Sequence, residues 1–312
     1  VRATVAAEVS EDGGTTLPVR RIAQIIRELP ERDIEIEVDE KDMASVRCDQ
    51  SFFKINGLPQ DDFPPVAKLE GKYTYHLEQG TFKQMLARTA YAASTDETRQ
   101  VLNGVFLSFR ASKLTVVATD GRRLALIEQE IEVPKEAEAD AVLPSKTVNE
   151  LLHTLHDEGE LKVTIVENQI GLEFGAVMLR SKLVEGTYPN YRQVIPGQCE
   201  ERVTVERESL LTALKRVSLL ATDKAQACKL TFTKNKLLVT SSSPDIGEAR
   251  ETLPIKYSAK DISIAFNPEY VMDPLRNLDQ DEIFVELTDD LSPGVIKCDV
   301  PFLYVLMPMR IT

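Results

Sequence analysis

The sequence predicts an α+β fold made of repeated domains, each with antiparallel sheets and two short helices. Five helical patterns recur along the chain, and their first apolar residues are Ile22, Phe82, Val148, Leu210 and Val271. These residues are separated by 60 to 66 positions. Between the helices, apolar and polar residues alternate as they do in half-buried antiparallel strands. Such regular spacing indicates a repeat architecture.

Each helical pattern is short and apolar on one face. The first runs through Ile22, Ile25, Ile26 and Leu29, which is the spacing of an amphipathic helix. The stretches 34–38 and 161–165 alternate Ile, Val or Leu with polar residues and are predicted strands.

A larger repeat contains two helices. Pro18, Pro144 and Pro268 each stand at the start of a helical pattern, and they lie about 125 residues apart, within the usual size of a domain. The predicted domains are residues 1–68, 69–195 and 196–312. Three such domains need six helices, so we expect the missing one to precede Val1, in a truncated first domain. The alternating residues 1–9 are read as a strand.

Composition favours a soluble protein with several hydrophobic cores. Of the 312 residues, 43% are hydrophobic, and the absence of a long uncharged apolar run argues against a membrane span. Four cysteines stand far apart without CxxC spacing, which favours neither a zinc site nor a disulfide framework. A reducing cytoplasm is the expected location.

The net charge of −13 argues at first against a nucleic-acid partner. The five helical windows, however, carry a small positive balance, and the acidic excess lies in the strands and loops. The helices could therefore present a basic face to a polyanion. Ordinary surface variation explains the same pattern equally well.

Residues 114–126 predict a hairpin whose turn contains Asp120-Gly121, because both residue types tolerate positive φ. It is either a plain hairpin or one whose adjacent Arg122 and Arg123 rim a peptide groove. The apolar run 304–311 predicts a docked strand. Met307 and Met309, which flank Pro308, would also suit an adaptable binding pocket.

The sequence shows no visible catalytic apparatus, and we expect neither enzymatic activity nor a cofactor. His153 and His156 lie three positions apart, but the chain has no HExxH motif. It also lacks a Gly-rich phosphate loop, a nucleophile elbow and a paired-carboxylate motif. A metal-dependent hydrolase using His153, His156 and Asp157 is the weakest of the readings.

Three separated signatures together resemble one family: ATDGRRLA at 118–125, SKLVEGTYPNYR at 181–192 and VLMPMR at 305–310. They resemble the bacterial DNA polymerase III beta sliding clamp, and the resemblance covers the whole chain. It implies a DNA clamp fold, in which two three-domain subunits join head to tail into a ring. Sheets form its outer rim, and twelve helices line a hole around duplex DNA. Weak phosphate attraction would then allow sliding.

The resemblance also implies a pocket for partner peptides between the second and third domains. Its residues would be Leu102, Thr119, Gly121, Arg122, Arg123, Leu124, Pro189, Gln193, Val194, Val305, Met307, Pro308, Met309 and Arg310. Two positions depart from the best-known family pattern: Arg122 stands where a His is often found, and Gln193 where an Arg is often found. Partner-motif preference is therefore expected to differ.

The remaining implied contacts are with DNA and with a second subunit. Residues matching family DNA contacts are Arg27, Arg99, Lys146, Asn267 and Tyr270. Candidates for the homodimer interface are Arg21, Phe53 and Ile55, facing Leu219, Leu220, Glu248 and Glu251. Expected partners are duplex DNA, the replicative polymerase, the clamp loader and other proteins with clamp-binding motifs. The alternative is a peptide-binding scaffold that does not encircle DNA.

Overall fold

The computed structural model describes residues 1–64, 69, 71, 73–197, 199, 201–220, 227–243 and 246–310. These residues divide into two compact units. Val5–Leu69 form the small unit, whereas Val1–Thr4 and Glu70–Thr312 form the large unit. Within the large unit we call residues 70–195 the central segment and residues 196–312 the C-terminal segment.

The described part of the first 69 residues contains one α-helix, one 3-10 helix (Gln60–Asp62) and several short strands. Their elements are β1 (Arg2–Ala3), β2 (Thr15–Thr16), α1 (Val19–Glu28), β3 (Glu35–Val38), β4 (Met43–Cys48), β5 (Ser51–Asn56) and β6 (Leu58–Pro59). In the small unit, β3, β4 and β5 form one antiparallel sheet, and β2 pairs with β6. The predicted strand at 34–38 is confirmed as β3.

The predicted strand over residues 1–9 is wrong beyond Ala3. Only β1 pairs, with Val177 and Met178 of the large unit, and the ladder stops after the Thr4 N–H donates to the Ala176 carbonyl at 3.0 Å. Val5 and Val9 are exposed, and among the described residues they have no neighbouring strand. Alternation alone therefore did not identify a strand, because a strand also needs a partner.

The central segment pairs two helices beneath antiparallel sheets. Its elements are β7 (Thr74–Glu78), α2 (Gln79–Ala87), β8 (Gly104–Arg110), β9 (Lys113–Thr119), β10 (Arg123–Glu130), β11 (Ala139–Pro144), α3 (Ser145–Thr154), β12 (Glu160–Val166), β13 (Gln169–Phe174) and β14 (Val177–Lys182). Helices α2 and α3 contact each other, and they bury Phe82, Leu86, Val148 and Leu151. One sheet has the order β1-β14-β13-β12-β7.

The C-terminal segment repeats this plan. Its elements are β15 (Glu201–Glu206), α4 (Arg207–Val217), β16 (Cys228–Thr233), β17 (Lys236–Ser243), β18 (Gly247–Pro254), β19 (Ile262–Phe266), α5 (Pro268–Asn277), β20 (Glu282–Leu287), β21 (Gly294–Lys297) and β22 (Phe302–Leu306). Helices α4 and α5 contact each other, and a second sheet has the order β18-β17-β16-β19.

One eight-stranded antiparallel sheet crosses from the central to the C-terminal segment. Its order is β11-β8-β9-β10-β22-β21-β20-β15, so β10 and β22 are the strands that meet at the junction. Their register places Arg123 opposite Leu306 and Leu124 opposite Val305. The predicted docking of the C-terminal run as a strand is confirmed by β22, and this docking joins the two segments.

All five predicted helices are present, and their starts follow from local chemistry. The Glu206 carboxylate accepts from the backbone N–H groups of Glu208 and Ser209 at the start of α4, and Asn267 Oδ1 accepts from the Glu269 N–H at the start of α5. Pro268 is the first residue of α5. At this position a backbone N–H would have no acceptor within the helix, so its absence in proline costs no hydrogen bond.

Candidate functional site

Three residues, 120–122, connect β9 to β10, and with the flanking Thr119 and Arg123 they form a turn that is held by its own side chains. The Asp120 carboxylate accepts from the backbone N–H groups of Arg122 at 2.8 Å and Arg123 at 3.1 Å. Thr119 Oγ1 accepts from the Gly121 N–H at 3.1 Å and donates to the Arg123 carbonyl at 2.6 Å. The predicted hairpin with Asp120-Gly121 in its turn is confirmed, but within the turn only Gly121 takes positive φ, at 87°.

The C-terminal tail continues the junction beside this turn. After β22 ends, the Met307 N–H donates to the Arg122 carbonyl at 3.0 Å, and the Met309 N–H donates to the Ala265 carbonyl at 2.8 Å. Both methionines remain substantially exposed, Met307 at 45% and Met309 at 37%. The tail therefore presents flexible apolar side chains to solvent from a fixed backbone.

An apolar cluster lies between the turn and the tail, separate from the main core. Its buried members are Val117, Leu124, Val142, Tyr188 and Val305. Partly buried residues that pack on it are Val101, Leu102, Phe106, Leu126, Val184, Tyr191, Ile195 and Leu303. We call these thirteen residues the junction cluster, because they come from both segments.

The loop 183–195 packs on the junction cluster through two aromatic rings. Tyr188 stacks on Phe106, with ring centroids 4.7 Å apart, and Tyr191 lies 5.9 Å from Phe106 in a tilted arrangement. Gly186 has a φ of 122°, and a Cβ there would lie 2.7 Å from Val101 Cγ2. The glycine of the 181–192 signature is therefore required by backbone conformation and by close approach.

Three of the predicted pocket residues, Leu102, Leu124 and Val305, belong to the junction cluster itself. The others stand close to its members along the chain: the turn (Thr119, Gly121, Arg122, Arg123), the tail (Met307, Pro308, Met309, Arg310) and the exposed loop residues (Pro189, Gln193, Val194). Val194 is 50% exposed at the end of a short 3-10 helix, Tyr191–Val194. The arrangement is an apolar surface with a polar and basic rim.

Sequence reasoning missed several residues that build this surface. Phe106, Val142 and Tyr191 support it, but in the sequence they read as ordinary strand and loop residues. The YPNY tetrad at 188–191 was the available signal, since two aromatics around a proline favour a packed loop over a solvated one.

The two adjacent arginines have different surroundings. Arg122 is exposed, and its side chain makes no ion pair within the described part of the chain. The Arg123 side chain is only 10% exposed, and it pairs with Asp120 and Asp273. It also donates to the Tyr91 carbonyl at 2.7 Å and lies over the Tyr270 ring at 4.3 Å. A donor role toward a ligand therefore suits Arg122, whereas the donors of Arg123 are used within the protein.

The residues predicted to face DNA also differ among themselves. Arg27 on α1 and Lys146 on α3 are exposed. Arg99 pairs with Asp96 at 3.0 Å and donates to the Asp120 carbonyl at 2.9 Å. Asn267 caps α5, and Tyr270 covers Arg123. Only Arg27 and Lys146 of this set therefore carry cationic groups without a protein partner in the described ranges.

The predicted interface residues include one that is buried. Ile55 is 8% exposed and faces the interior of the small unit, so its side chain is not free for a partner. Phe53 is 36% exposed on the same strand, and Arg21 is exposed on α1. Leu219 is 79% exposed in a 3-10 helix that follows α4.

The acidic members of the interface set lie on β18, an edge strand. Glu248 is exposed. Glu251 accepts from Arg216 at 2.5 and 2.9 Å, and these hydrogen bonds lower the pKa of its carboxyl group. In the part of the chain that the structure describes, no strand pairs with the outer edge of β18, which could therefore accept a strand of another molecule.

His153 and His156 lie near the C-terminal end of α3. His153 lies within α3, whereas His156 lies beyond its end, where the His156 N–H donates to Gln79 Oε1 at 3.1 Å. Among the described residues, no group of three or more His, Cys, Asp or Glu could hold a metal ion. No helix in the same ranges is long and apolar enough to cross a membrane.

Three family descriptions match the chain in order. They are the N-terminal domain (residues 1–67), the central domain (76–190) and the C-terminal domain (192–310) of the DNA polymerase III beta subunit. The beta sliding clamp of Chlamydia muridarum is 32% identical over 310 residues, covering 99% of this chain and 85% of the relative. This chain belongs to the beta sliding clamp family.

Solved sliding clamps share the fold. The clamp from Pseudomonas aeruginosa bound to griselimycin superimposes with a TM-score of 0.93 at 29% identity, covering 98% of this chain and 84% of that one. The clamp from Bartonella birtlesii bound to griselimycin gives 0.92 at 32% identity, covering 99% and 85%. The predicted α+β clamp fold is confirmed.

Proposed function

We propose that this sliding clamp is a non-catalytic processivity factor that holds a DNA polymerase on its template through the junction cluster. The observation that carries the proposal is the exposed apolar surface at the junction, where Met307 and Val194 stand beside a buried floor containing Leu124. A short partner segment could bury its apolar side chains there. Holding the polymerase beside DNA raises its effective concentration at the primer end.

Encirclement of DNA is the second part of the proposal. Two copies would close a ring in which Arg27 and Lys146 face duplex DNA, with Arg99, Asn267 and Tyr270 nearby. A ring needs no base contacts, and a few phosphate contacts leave it free to slide. The small positive balance of the helical windows suits that use better than a strongly basic surface would.

The proposed partners follow from this role. They are a second copy of the chain, duplex DNA, the replicative polymerase, a clamp loader and other proteins that carry the same kind of binding segment. The proposed domains are residues 1–68, 69–195 and 196–312. A protein that acts in replication of the bacterial chromosome would be located in the cytoplasm.

Retention on DNA of different topology tests encirclement. The protein is loaded on nicked circular DNA and on the same DNA after linearisation, and the retained fraction is measured by gel filtration at moderate salt. A ring stays on the circle and leaves the linear molecule through its ends. Equal retention on both would instead favour a scaffold that binds peptides without enclosing DNA.

Binding of griselimycin tests the pocket separately. We expect the compound to bind this chain in isothermal titration calorimetry, with binding weakened by substitution of Met307. Absence of heat at micromolar protein concentration, with the fold intact by circular dichroism, would overturn the assignment of the pocket.

A further inference from the structure

We propose that Arg123 is a positioning residue, and that its contacts to α5 hold the 119–123 turn in the shape that the pocket needs. The inference rests on the proposed pocket and deepens it. Arg123 would then contribute to ligand binding without contacting the ligand, through Asp273 on a helix of the other segment.

The Arg123 guanidinium is held from several sides. Its Nε donates to Asp120 Oδ2 at 3.0 Å, one terminal nitrogen donates to Asp273 Oδ2, and the other donates to the Tyr91 carbonyl at 2.7 Å. The plane of the group lies over Tyr270. Every nitrogen of the group thus has a partner within the protein.

The Asp120 carboxylate connects the Arg123 guanidinium to the backbone of the turn. Asp120 accepts from Arg123 Nε, and it also accepts the backbone N–H groups of Arg122 and Arg123. Asp120 therefore fixes the backbone of the turn, and Arg123, which is bound to Asp273 on α5, fixes Asp120. Loss of the contact to Asp273 would free one end of this chain of hydrogen bonds.

The charged groups of this network are largely buried. The side chains of Arg123, Asp120 and Asp273 are 10%, 13% and 21% exposed, so solvent screens their charges weakly. A rim ion pair would contribute little. This one lies where its geometry determines the position of the Arg122 carbonyl, to which Met307 donates.

The chain contains a matched control. Arg88 of the central segment pairs with Asp279, just after α5, at 3.1 Å. This second ion pair joins the same two segments, and its arginine side chain is 9% exposed, but it has no contact with the turn. Asp279 is 81% exposed, whereas Asp273 is 21% exposed and also pairs with Arg276 at 3.2 Å. Asp279→Asn therefore controls for the loss of one charge pair between the segments, and the local measurement at the turn separates positioning from a general loss of stability.

The test compares Asp273→Asn with Asp279→Asn. Asp273→Asn leaves Arg123 paired with Asp120, so the variant is expected to fold. We expect griselimycin to bind Asp273→Asn about tenfold more weakly than the unsubstituted chain, because the turn is less preorganised. We expect the affinity of Asp279→Asn to stay within about twofold.

Hydrogen exchange of the turn supplies a local measurement. The amides of Gly121, Arg122 and Arg123 should exchange faster in Asp273→Asn and unchanged in Asp279→Asn, at equal thermal stability or after correction for it. Equal affinity losses in both variants, or an unchanged turn in Asp273→Asn, would overturn the positioning role. If the unsubstituted chain itself fails to bind griselimycin, the proposed pocket fails, and the exchange result still decides whether Asp273 orders the turn.

Discussion

The hydroxyl group of Tyr304 donates a hydrogen bond to the backbone carbonyl of Tyr270 at 2.9 Å. Tyr270 lies in α5, and the residue four positions later is Pro274, which has no N–H to offer that carbonyl. A side chain of β22 thus replaces the missing helical hydrogen bond. The strand that joins the two segments also makes a proline tolerable inside α5.

Tyr304→Phe is therefore expected to destabilise the large unit. Tyr304 is fully buried, so removal of its hydroxyl group leaves the Tyr270 carbonyl without this hydrogen bond. Leaving a buried carbonyl unpaired typically lowers the free energy of unfolding by about 1–3 kcal/mol. Urea unfolding at neutral pH measures the loss. In a Pro274→Ala background, the new N–H can reach the Tyr270 carbonyl, so Tyr304→Phe should cost less. Equal losses in both backgrounds would show that this carbonyl does not depend on Tyr304.

Helix α5 itself could be predicted from the sequence, but its contacts with distant residues could not. The apolar spacing from Val271 to Leu278 is local, so the helix was predictable although Pro274 interrupts it. The Asp120-Gly121 turn was predictable for the same reason. The partner of Arg123, however, is Asp273, which is 150 positions away. No local periodicity carries that information, because the contact exists only after β10 and β22 have paired.

The family resemblance supplied the pocket residues but not their separate roles. It grouped Arg122 and Arg123 together, whereas burial distinguishes a free guanidinium from an engaged one. It placed Ile55 at an interface, although Ile55 is buried in β5 while Phe53, two positions earlier on the same strand, is exposed. Whether a side chain is buried or exposed depends on which face of its strand or helix packs against the rest of the protein. A single sequence shows this packing only indirectly.

Met307→Ala is expected to weaken griselimycin binding about tenfold, as truncation of an apolar contact residue commonly does. Its side chain is 45% exposed beside the junction cluster, so stability should change little. Leu291→Ala is the matched control, because Leu291 is 69% exposed in a loop of the same segment and makes no contact with the cluster. Isothermal titration calorimetry compares the two. If both variants bind griselimycin with the same affinity, Met307 does not belong to the pocket.

Arg27→Ala and Lys146→Ala should each reduce the salt dependence of duplex binding. Both side chains are exposed cations without a described partner, and each phosphate contact contributes about 0.9 to the slope of log K against log salt. Arg99→Ala should change the slope less, because Asp96 already neutralises this arginine. Fluorescence anisotropy at several salt concentrations gives the slopes.

Lys234→Ala is the control for these DNA measurements. Lys234 is an exposed lysine in the turn between β16 and β17, outside all five helices, and its removal changes the net charge equally. Its slope should match that of the unsubstituted chain. If Lys234→Ala lowers the slope as much as Lys146→Ala, binding reflects overall charge and the helices have no special part in it.

Leu219→Ala combined with Leu220→Ala should shift the homodimer toward monomer. Leu219 exposes 79% of its surface next to the edge strand β18, and a buried apolar contact there would contribute about 1.5–3 kcal/mol per side chain. Light scattering over a dilution series measures the mass. Leu291→Ala, which changes another exposed residue (69%) in the loop between β20 and β21, tests whether any apolar truncation has this effect. An unchanged mass at low concentration would place the interface elsewhere.

Alkaline pH should destabilise the large unit through its buried tyrosines. Burial raises the pKa of Tyr91, Tyr188 and Tyr304 above the ordinary value of about 10. Above that value the unfolded chain loses these protons first, so it binds fewer protons than the folded chain. Stability is then fully present below about pH 10 and falls as pH rises, by up to about 1.4 kcal/mol per pH unit for each tyrosine.

Tyr188→Phe isolates one of these groups. The Tyr188 hydroxyl is buried near the Thr119 backbone without a hydrogen-bond partner in the described structure, so its removal should leave stability at pH 7 unchanged or slightly higher. The free energy of unfolding, measured in urea between pH 8 and 11, should fall less steeply for the variant than for the unsubstituted chain. Parallel curves would mean that the Tyr188 proton does not distinguish the folded from the unfolded state, and a large loss at pH 7 would mean that the hydroxyl has a partner after all.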